Sequence, residues 1–264
     1  MIVNPGISPF GFKEITMKQV LLVTGSSRGI GAATALLAAR AGYAVCINYV
    51  RGAEAAEALC ARIVAEGGQA IAVQADVGDE AQVARLFEEV DAKLGPLTAL
   101  VNNVGVLEQK CRLADISVAR MERVLRTNVI GYLLCCQQAV RRMSTASGGQ
   151  GGSIVNVSSV ASRLGSPNEY IDYAASKGAV DTLTIGLAKE VADEGIRVNC
   201  VRPGLIHTEI HASGGEPGRV ARLAAGVPMQ RGGQPEEVAQ AILYLLGPGA
   251  SYVTGTFLDV AGGR

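Results

Sequence analysis

Short apolar runs alternate with longer helical patterns along the whole chain. The runs fall at residues 19–24, 44–48, 70–74, 98–101, 153–157, 196–201 and 256–260. Each is brief and flanked by glycine, proline, asparagine, aspartate or serine, which predicts buried strands. Helical patterns cover residues 29–41, 53–66, 79–94, 119–143, 173–194 and 235–246. Gly42, Gly67, Gly95 and Gly195 stop four of them, and Asp79 is placed to cap the third. Strands alternating with helices predict an α/β fold: a doubly wound parallel sheet of about seven strands, helices on both faces. Ligands bind such sheets beyond the carboxyl ends of the strands, near the point where strand order reverses.

No linker divides residues 17–264, which read as a single domain. Residues 1–16 read as an N-terminal extension ahead of an alternative start at Met17. They lack the basic start and long apolar run of a secretory signal, and no run of 18 apolar residues predicts a membrane span. The glycine-rich stretch at 147–152 reads as a flexible surface loop. These features point to a cytoplasmic protein without a membrane partner.

Composition narrows the picture. Hydrophobic residues make up 48% of the 264, enough for a substantial core, and charged residues 18%, too few for a disordered chain. Lys+Arg and Asp+Glu are 24 each, so no basic surplus calls for nucleic acid, and a near-zero net charge favours self-association. The six cysteines form no CxxC pair and read as small buried apolar groups in a reduced compartment. His207 and His211 are four residues apart but lack a third ligand nearby, so no metal site is expected.

The first strand runs into Thr24-Gly25-Ser26-Ser27-Arg28-Gly29-Ile30-Gly31. Gly25 allows a sharp turn, while Gly29 and Gly31 leave room for a cofactor and for close helix packing. The helix that follows offers N–H groups and partial positive charge to a pyrophosphate. An NAD-preferring site carries an acid about 20 residues further on, at the end of the second strand. This chain instead reads Asn48-Tyr49-Val50-Arg51. Arg51 from the loop and Arg28 from the turn suit a 2′-phosphate, so NADP(H) is expected over NAD(H).

A second constellation is Tyr173-Ala174-Ala175-Ser176-Lys177. On a helix the i,i+4 spacing puts tyrosine and lysine on one face. An ammonium near the phenol would lower its pKa from the ordinary value near 10 and let it move protons near neutrality. Ser158 and Ser159 close the fifth strand, where a hydroxyl could polarise a substrate carbonyl. Tyr170 competes with Tyr173 but has no lysine four residues later.

With these motifs in order, the chain resembles the short-chain dehydrogenase/reductase family over most of its length. TGSSRGIG matches that family's TGxxxGxG turn. Asp76-Val77 resembles its adenine-contacting pair. Asn102-Asn103-Val104-Gly105 resembles NNAG, with Val104 in place of alanine. Pro203, Gly204, Ile206 and Thr208 fall in a segment resembling PGxxxT beside the nicotinamide. The resemblance implies a Rossmann-type fold and a catalytic set of Asn128, Ser159, Tyr173 and Lys177. Ser159 is chosen over Ser158 because it directly precedes Val160. Lys177 would also bond the nicotinamide ribose, and Asn128 would hold a water linking Lys177 to solvent. From the residues alone, Asn128 equally reads as a buried asparagine satisfying a helix irregularity.

Residues 206–230, with His207, His211, Glu216, Arg219 and Arg222, correspond to the family's mobile lid. Residues 163–169 form a second wall of the expected pocket. The substrate expectation is a small carbonyl or alcohol compound. Two alternatives remain: a 3-oxoacyl-carrier-protein reductase and a non-catalytic NADP(H)-binding sensor. The first is disfavoured because two positions that often carry arginine in such reductases hold Leu134 and Glu194. The resemblance also implies a homo-oligomer, a tetramer or a dimer, paired through the helices at 119–143 and 173–194. Leu133, Val180, Leu183 and Leu187 are candidate contacts, or core residues of the monomer.

Overall fold

In the computed structural model, which describes residues 19–264, Val20–Val23 (β1) is a four-residue strand with every side chain buried. The expected extension at 1–16 lies outside the described residues. Six more strands follow: β2 (Ala44–Tyr49), β3 (Gln69–Gln74), β4 (Ala99–Asn102), β5 (Gly152–Val157), β6 (Ile196–Pro203) and β7 (Phe257–Val260). All pair in parallel, in the order β3-β2-β1-β4-β5-β6-β7. The chain moves outward from β1 to β3, then returns to the other side of β1 with β4. The crevice beyond the carboxyl ends of β1 and β4 is therefore the switch point where such sheets take ligands.

Ten α-helical segments connect the strands: α1 (Gly29–Arg40), α2 (Ala53–Ala65), α3 (Glu80–Leu94), α4 (Val118–Leu125), α5 (Gly131–Met143), α6 (Ala161–Leu164), α7 (Ile171–Glu190), α8 (Ile210–Ser213), α9 (Arg219–Leu223) and α10 (Pro235–Leu246). Because strand side chains alternate between faces, β1 feeds two cores. Val20 and Leu22 join Phe87 of α3, Met143 of α5 and Ala188 of α7. Leu21 and Val23 join Ala35 of α1, Ile63 of α2 and Ile242 of α10. Asp79 caps α3 as its position predicts, its side chain accepting from Gln82 N at 3.0 Å. Such a cap is worth about 1 kcal/mol.

Three features depart from the sequence pattern. The expected continuous helix at 119–143 is interrupted: a π-helical turn, Arg126–Ile130, separates α4 from α5. The hydrophobic period is too similar in α and π turns to reveal one extra residue. The expected helix at 173–194 starts at Ile171 and stops at Glu190. The stretch at 147–152 is no loose loop. Gly149 N donates to Ser144 O at 2.8 Å, Gly151 N to Met143 O at 2.7 Å and Gly152 N to Gly195 O at 3.0 Å. Its glycines serve close packing against α5, which polarity alone does not disclose. The candidate contact residues also divide. Val180 is buried, Leu183 and Leu187 pack against the monomer core, and Leu133 is exposed.

Candidate functional site

The turn after β1 is held from two sides. Gly25 adopts φ +59°, and a side chain there would meet Val104 Cα at 3.0 Å. A side chain at Gly31 would stand 2.8 Å from Gly25 O, so α1 could not start this close to the strand with any larger residue. From β4, Asn103 Nδ2 donates to Thr24 O (2.9 Å) and Gly25 O (3.0 Å), while Thr24 Oγ1 accepts from Asn103 N and Val104 N. From β2, Asn48 Oδ1 accepts from Gly25 N at 3.1 Å and its Nδ2 donates to Ala75 O at 2.9 Å. Asn48 was expected to touch a cofactor; it is buried and its amide is committed to bracing the turn.

No side chain caps α1, so its first N–H groups have no side-chain partner at the N-cap. Ser27 is half-buried, and Arg28 and Arg51 are exposed, with no ion pair to either among the described residues. Ile30 and Tyr49 pack against the second core with only part of their surface free. Asp76 bonds its own turn, Oδ1 accepting from Gly78 N at 2.8 Å, and Val77 is buried beneath it. Pro203 ends β6, Gly204 N donates to Val260 O at 2.9 Å, and Ile206 bridges to Gly233. Thr208 then folds back over the glycine turn, its Cγ2 3.3 Å from where a Gly29 side chain would begin.

The second constellation joins the first through the loop after β4. A Cβ on Gly105 would lie 3.7 Å from Lys177 Nζ. Lys177 is buried, donates to Val157 O at 2.8 Å, and has its ammonium 5.7 Å from the centroid of the Tyr173 ring. Burial pulls the lysine down to about 8. Burial also pushes Tyr173 up to about 12, against a smaller opposing effect of the neighbouring Ser159 hydroxyl. The direction is opposite to the lowering expected from a neighbouring lysine, and loss of water around the phenolate is its largest cause. Ser159 accepts from Ala161 N, leaving its own proton for another partner. Ser158 turns away and donates to Lys177 O, a structural bond. Tyr170 likewise has other employment, donating to Gly214 O at 3.3 Å.

Asn128 sits at the centre of the π turn and is fully buried. Both amide hydrogens are used, on Val106 O and Ser176 Oγ at 3.1 Å each, and Oδ1 accepts from Val106 N at 2.9 Å. Its side chain thus ties the loop after β4 and α7 to the π turn. Helix α9 and the turn before it join residues 163–169 through ions. Arg219 bonds Glu169 at 2.6 Å and Glu216 at 3.2 Å, and Arg222 also pairs with Glu216.

Two features of the site escaped sequence reasoning: the phenol of Tyr132, which reaches Lys177, and the ion pair of Arg120 with Asp172. Tyr132 is the lone aromatic residue in 119–143, four positions past Asn128, and that was the available signal.

A family model described as enoyl-(acyl carrier protein) reductase, of the short-chain dehydrogenase/reductase type, matches residues 25–264. The chain belongs to the short-chain dehydrogenase/reductase family and is an oxidoreductase of that family. Among relatives, it is 61% identical to the uncharacterized oxidoreductase YgfF of Escherichia coli (strain K12), covering 93% of this chain and 99% of that one. It is 39% identical to a 3-oxoacyl-[acyl-carrier-protein] reductase of Synechocystis sp., covering 93% and 96%. Among solved structures, the blue fluorescent protein from a metagenomic library in complex with NADPH superposes with a TM-score of 0.85, at 34% identity over 93% of this chain and 97% of that one.

Proposed function

We propose that the protein is an NADP(H)-dependent reductase of a small carbonyl compound, or dehydrogenase of the matching alcohol, with Tyr173 as its acid–base. One observation carries this reading: the loop after β4 braces the glycine turn through Asn103 and, two residues later, reaches the buried Lys177 beside Tyr173. A dinucleotide on the turn would therefore end at the phenol.

The residues present fit such a cofactor. The uncapped start of α1 and the turn of Gly25, Ser27, Gly29, Ile30 and Gly31 suit the pyrophosphate. Tyr49 and the Asp76-Val77 corner would border the adenosine. Arg28 and Arg51 would hold the 2′-phosphate, and the absence of an acid at the end of β2 removes a repulsion. Val104, Gly105, Pro203, Gly204, Ile206 and Thr208 would surround the nicotinamide. When bound, the nicotinamide supplies or takes up the hydride.

Ser159 donates to the substrate oxygen and polarises the carbonyl. Tyr173, kept protonated at neutral pH by burial, gives its proton to that oxygen as it becomes an alkoxide. Lys177 stabilises the phenolate left behind and bonds the ribose. A water on Asn128 could be held only through the main chain of the π turn or the spare Oδ1 lone pair, since both amide hydrogens are taken. The lid excludes water from the transfer.

The name of the Synechocystis relative favours a second reading, reduction of a 3-oxoacyl group on a carrier protein. Against it, Leu134 packs on the core and Glu194 is acidic, so neither offers a cation to an acidic carrier. A sensor without turnover would not need Ser159, Tyr173 and Lys177 together. We place the protein in the cytoplasm, as a tetramer or dimer joined through α4, α5 and α7, where Leu125, Leu133 and Ile185 are exposed. The test is loss of NADPH absorbance across free aldehydes, ketones and an acetoacetyl carrier protein. Turnover with free carbonyls supports the reading. Turnover confined to the carrier-bound substrate would replace it with the second.

A further inference from the structure

Tyr132 heads the fully buried side chains by size among the described residues, yet a buried phenol must find partners for its hydroxyl. It stands on α5, directly after the π turn and Gly131. Its oxygen lies 2.9 Å from Val104 O, 3.0 Å from Val157 O and 3.2 Å from Lys177 Nζ. One phenol has one proton for two carbonyls. Val157 O already accepts from Lys177 Nζ at 2.8 Å, so the phenol proton is best placed on Val104 O. A lone pair then faces the ammonium.

We propose that Tyr132 is a positioning residue for Lys177: its neutral hydroxyl accepts from the ammonium and donates to the Val104 carbonyl, tethering the lysine to the loop that follows β4. That same loop braces the glycine turn through Asn103. The tether therefore makes the place of the lysine depend on the place of the cofactor loop. Tyr132 is a clamp and not a proton wire: it is fully buried and its remaining partners are main-chain carbonyls, which pass no proton onward. Burial holds its own pKa well above 10, so it stays a neutral acceptor beside the lysine at every pH of interest.

The charged and titratable groups around the pair are few. Lys177 is faced by Tyr173 and Asp181 of α7, Cys200 of β6 and Tyr132 itself. Tyr132 is faced by Tyr173, Cys200, Cys135 and Cys136. Asp181 is the one carboxyl group among these. Removing the phenol oxygen takes an acceptor from an ammonium that burial already disfavours, and so lowers the lysine pKa further.

The measurement is a 13C NMR titration of the full-length protein labelled at lysine Cε. The chain has six lysines, and the Lys177 signal is the one missing from Lys177→Met. In Tyr132→Phe, which keeps the ring and its contact with the ammonium, the Lys177 midpoint should move down by about one pH unit. An unchanged midpoint would overturn the tether. Should Tyr132→Phe fail to fold, 4-fluorophenylalanine placed at 132 keeps the hydroxyl's volume with almost no accepting power, and the same shift is expected.

The kinetic consequence alone rests on the proposed catalytic role of Lys177. Carbonyl reduction by Tyr132→Phe should match wild type near pH 6 and fall about fivefold below it at pH 8. A loss equal at both pH values would mean a merely structural residue. Turnover surviving in Tyr173→Phe would remove the catalytic reading, while the lysine titration would still judge the tether.

Discussion

Arg120 and Asp172 form a buried bidentate ion pair, Nε to Oδ2 at 2.7 Å and Nη2 to Oδ1 at 3.0 Å, with side chains 9% and 5% exposed. Asp172 also accepts from Tyr173 N at 2.9 Å, and Arg120 donates to Gln109 O and Cys111 Sγ. One pair thus fastens α4, the loop after β4 and the first turn of α7, beside the phenol. Arg120→Met leaves the carboxylate buried without its cation, which should cost about 3–5 kcal/mol. Urea unfolding measures this, and a loss below about 1 kcal/mol would show that water or another cation takes over.

Tyr173→Phe should lower turnover at least about 100-fold, the usual worth of a positioned acid–base group. The ring stays, so NADPH affinity by fluorescence titration should hold. Near-normal turnover would remove Tyr173 from the mechanism.

Arg28 and Arg51 are exposed and unpaired among the described residues, so removing them disturbs little else. Arg28→Ala with Arg51→Ala should weaken NADPH at least about tenfold, since each charge-assisted bond is worth about 1.5–3 kcal/mol. NADH should change by less than about twofold. A wild type with higher kcat/KM for NADH than for NADPH contradicts the NADP(H) preference.

The buried lysine sets a pH limit. Lys177 keeps its ammonium below about 8, so carbonyl reduction should fall as pH rises through that value. Stability moves the other way. The folded pKa, about 8, lies below the ordinary 10.5, so the unfolded chain holds the proton more tightly in that window. The charge opposes folding fully below pH 8, and its penalty fades as pH rises towards 10.5. Lys177→Met should therefore lose its stability advantage over wild type across that window. A gap constant with pH would mean that the lysine is not desolvated.

Leu133 is exposed on α5, as are Leu125 on α4 and Ile185 on α7. Light scattering at micromolar concentration should give a tetramer or dimer, and Leu133→Arg should shift it towards smaller species. A monomeric wild type ends the oligomer proposal.

Much of the fold was legible because it rests on local pattern. The seven apolar runs became the seven strands, and Gly25, Gly29 and Gly31 marked the turn at the switch point. YxxxK was legible because helical spacing puts Tyr173 and Lys177 on one face. The bracing of the turn by Asn48 was not legible, because sequence position says where a residue lies and not what its side chain spends its bonds on.

The sequence by itself determined the alternation of strands and helices, the glycine turn and the order of the chemical groups, since these follow from propensity and period over a few residues. Only the tertiary structure decided the π turn at Asn128, the tether from Tyr132 to Lys177 and the direction of the Tyr173 shift. The first two bring together groups 48 and 45 residues apart, Asn128 with Ser176 and Tyr132 with Lys177, and the third follows from burial. There the unmet bond of a buried polar group outweighs any local preference.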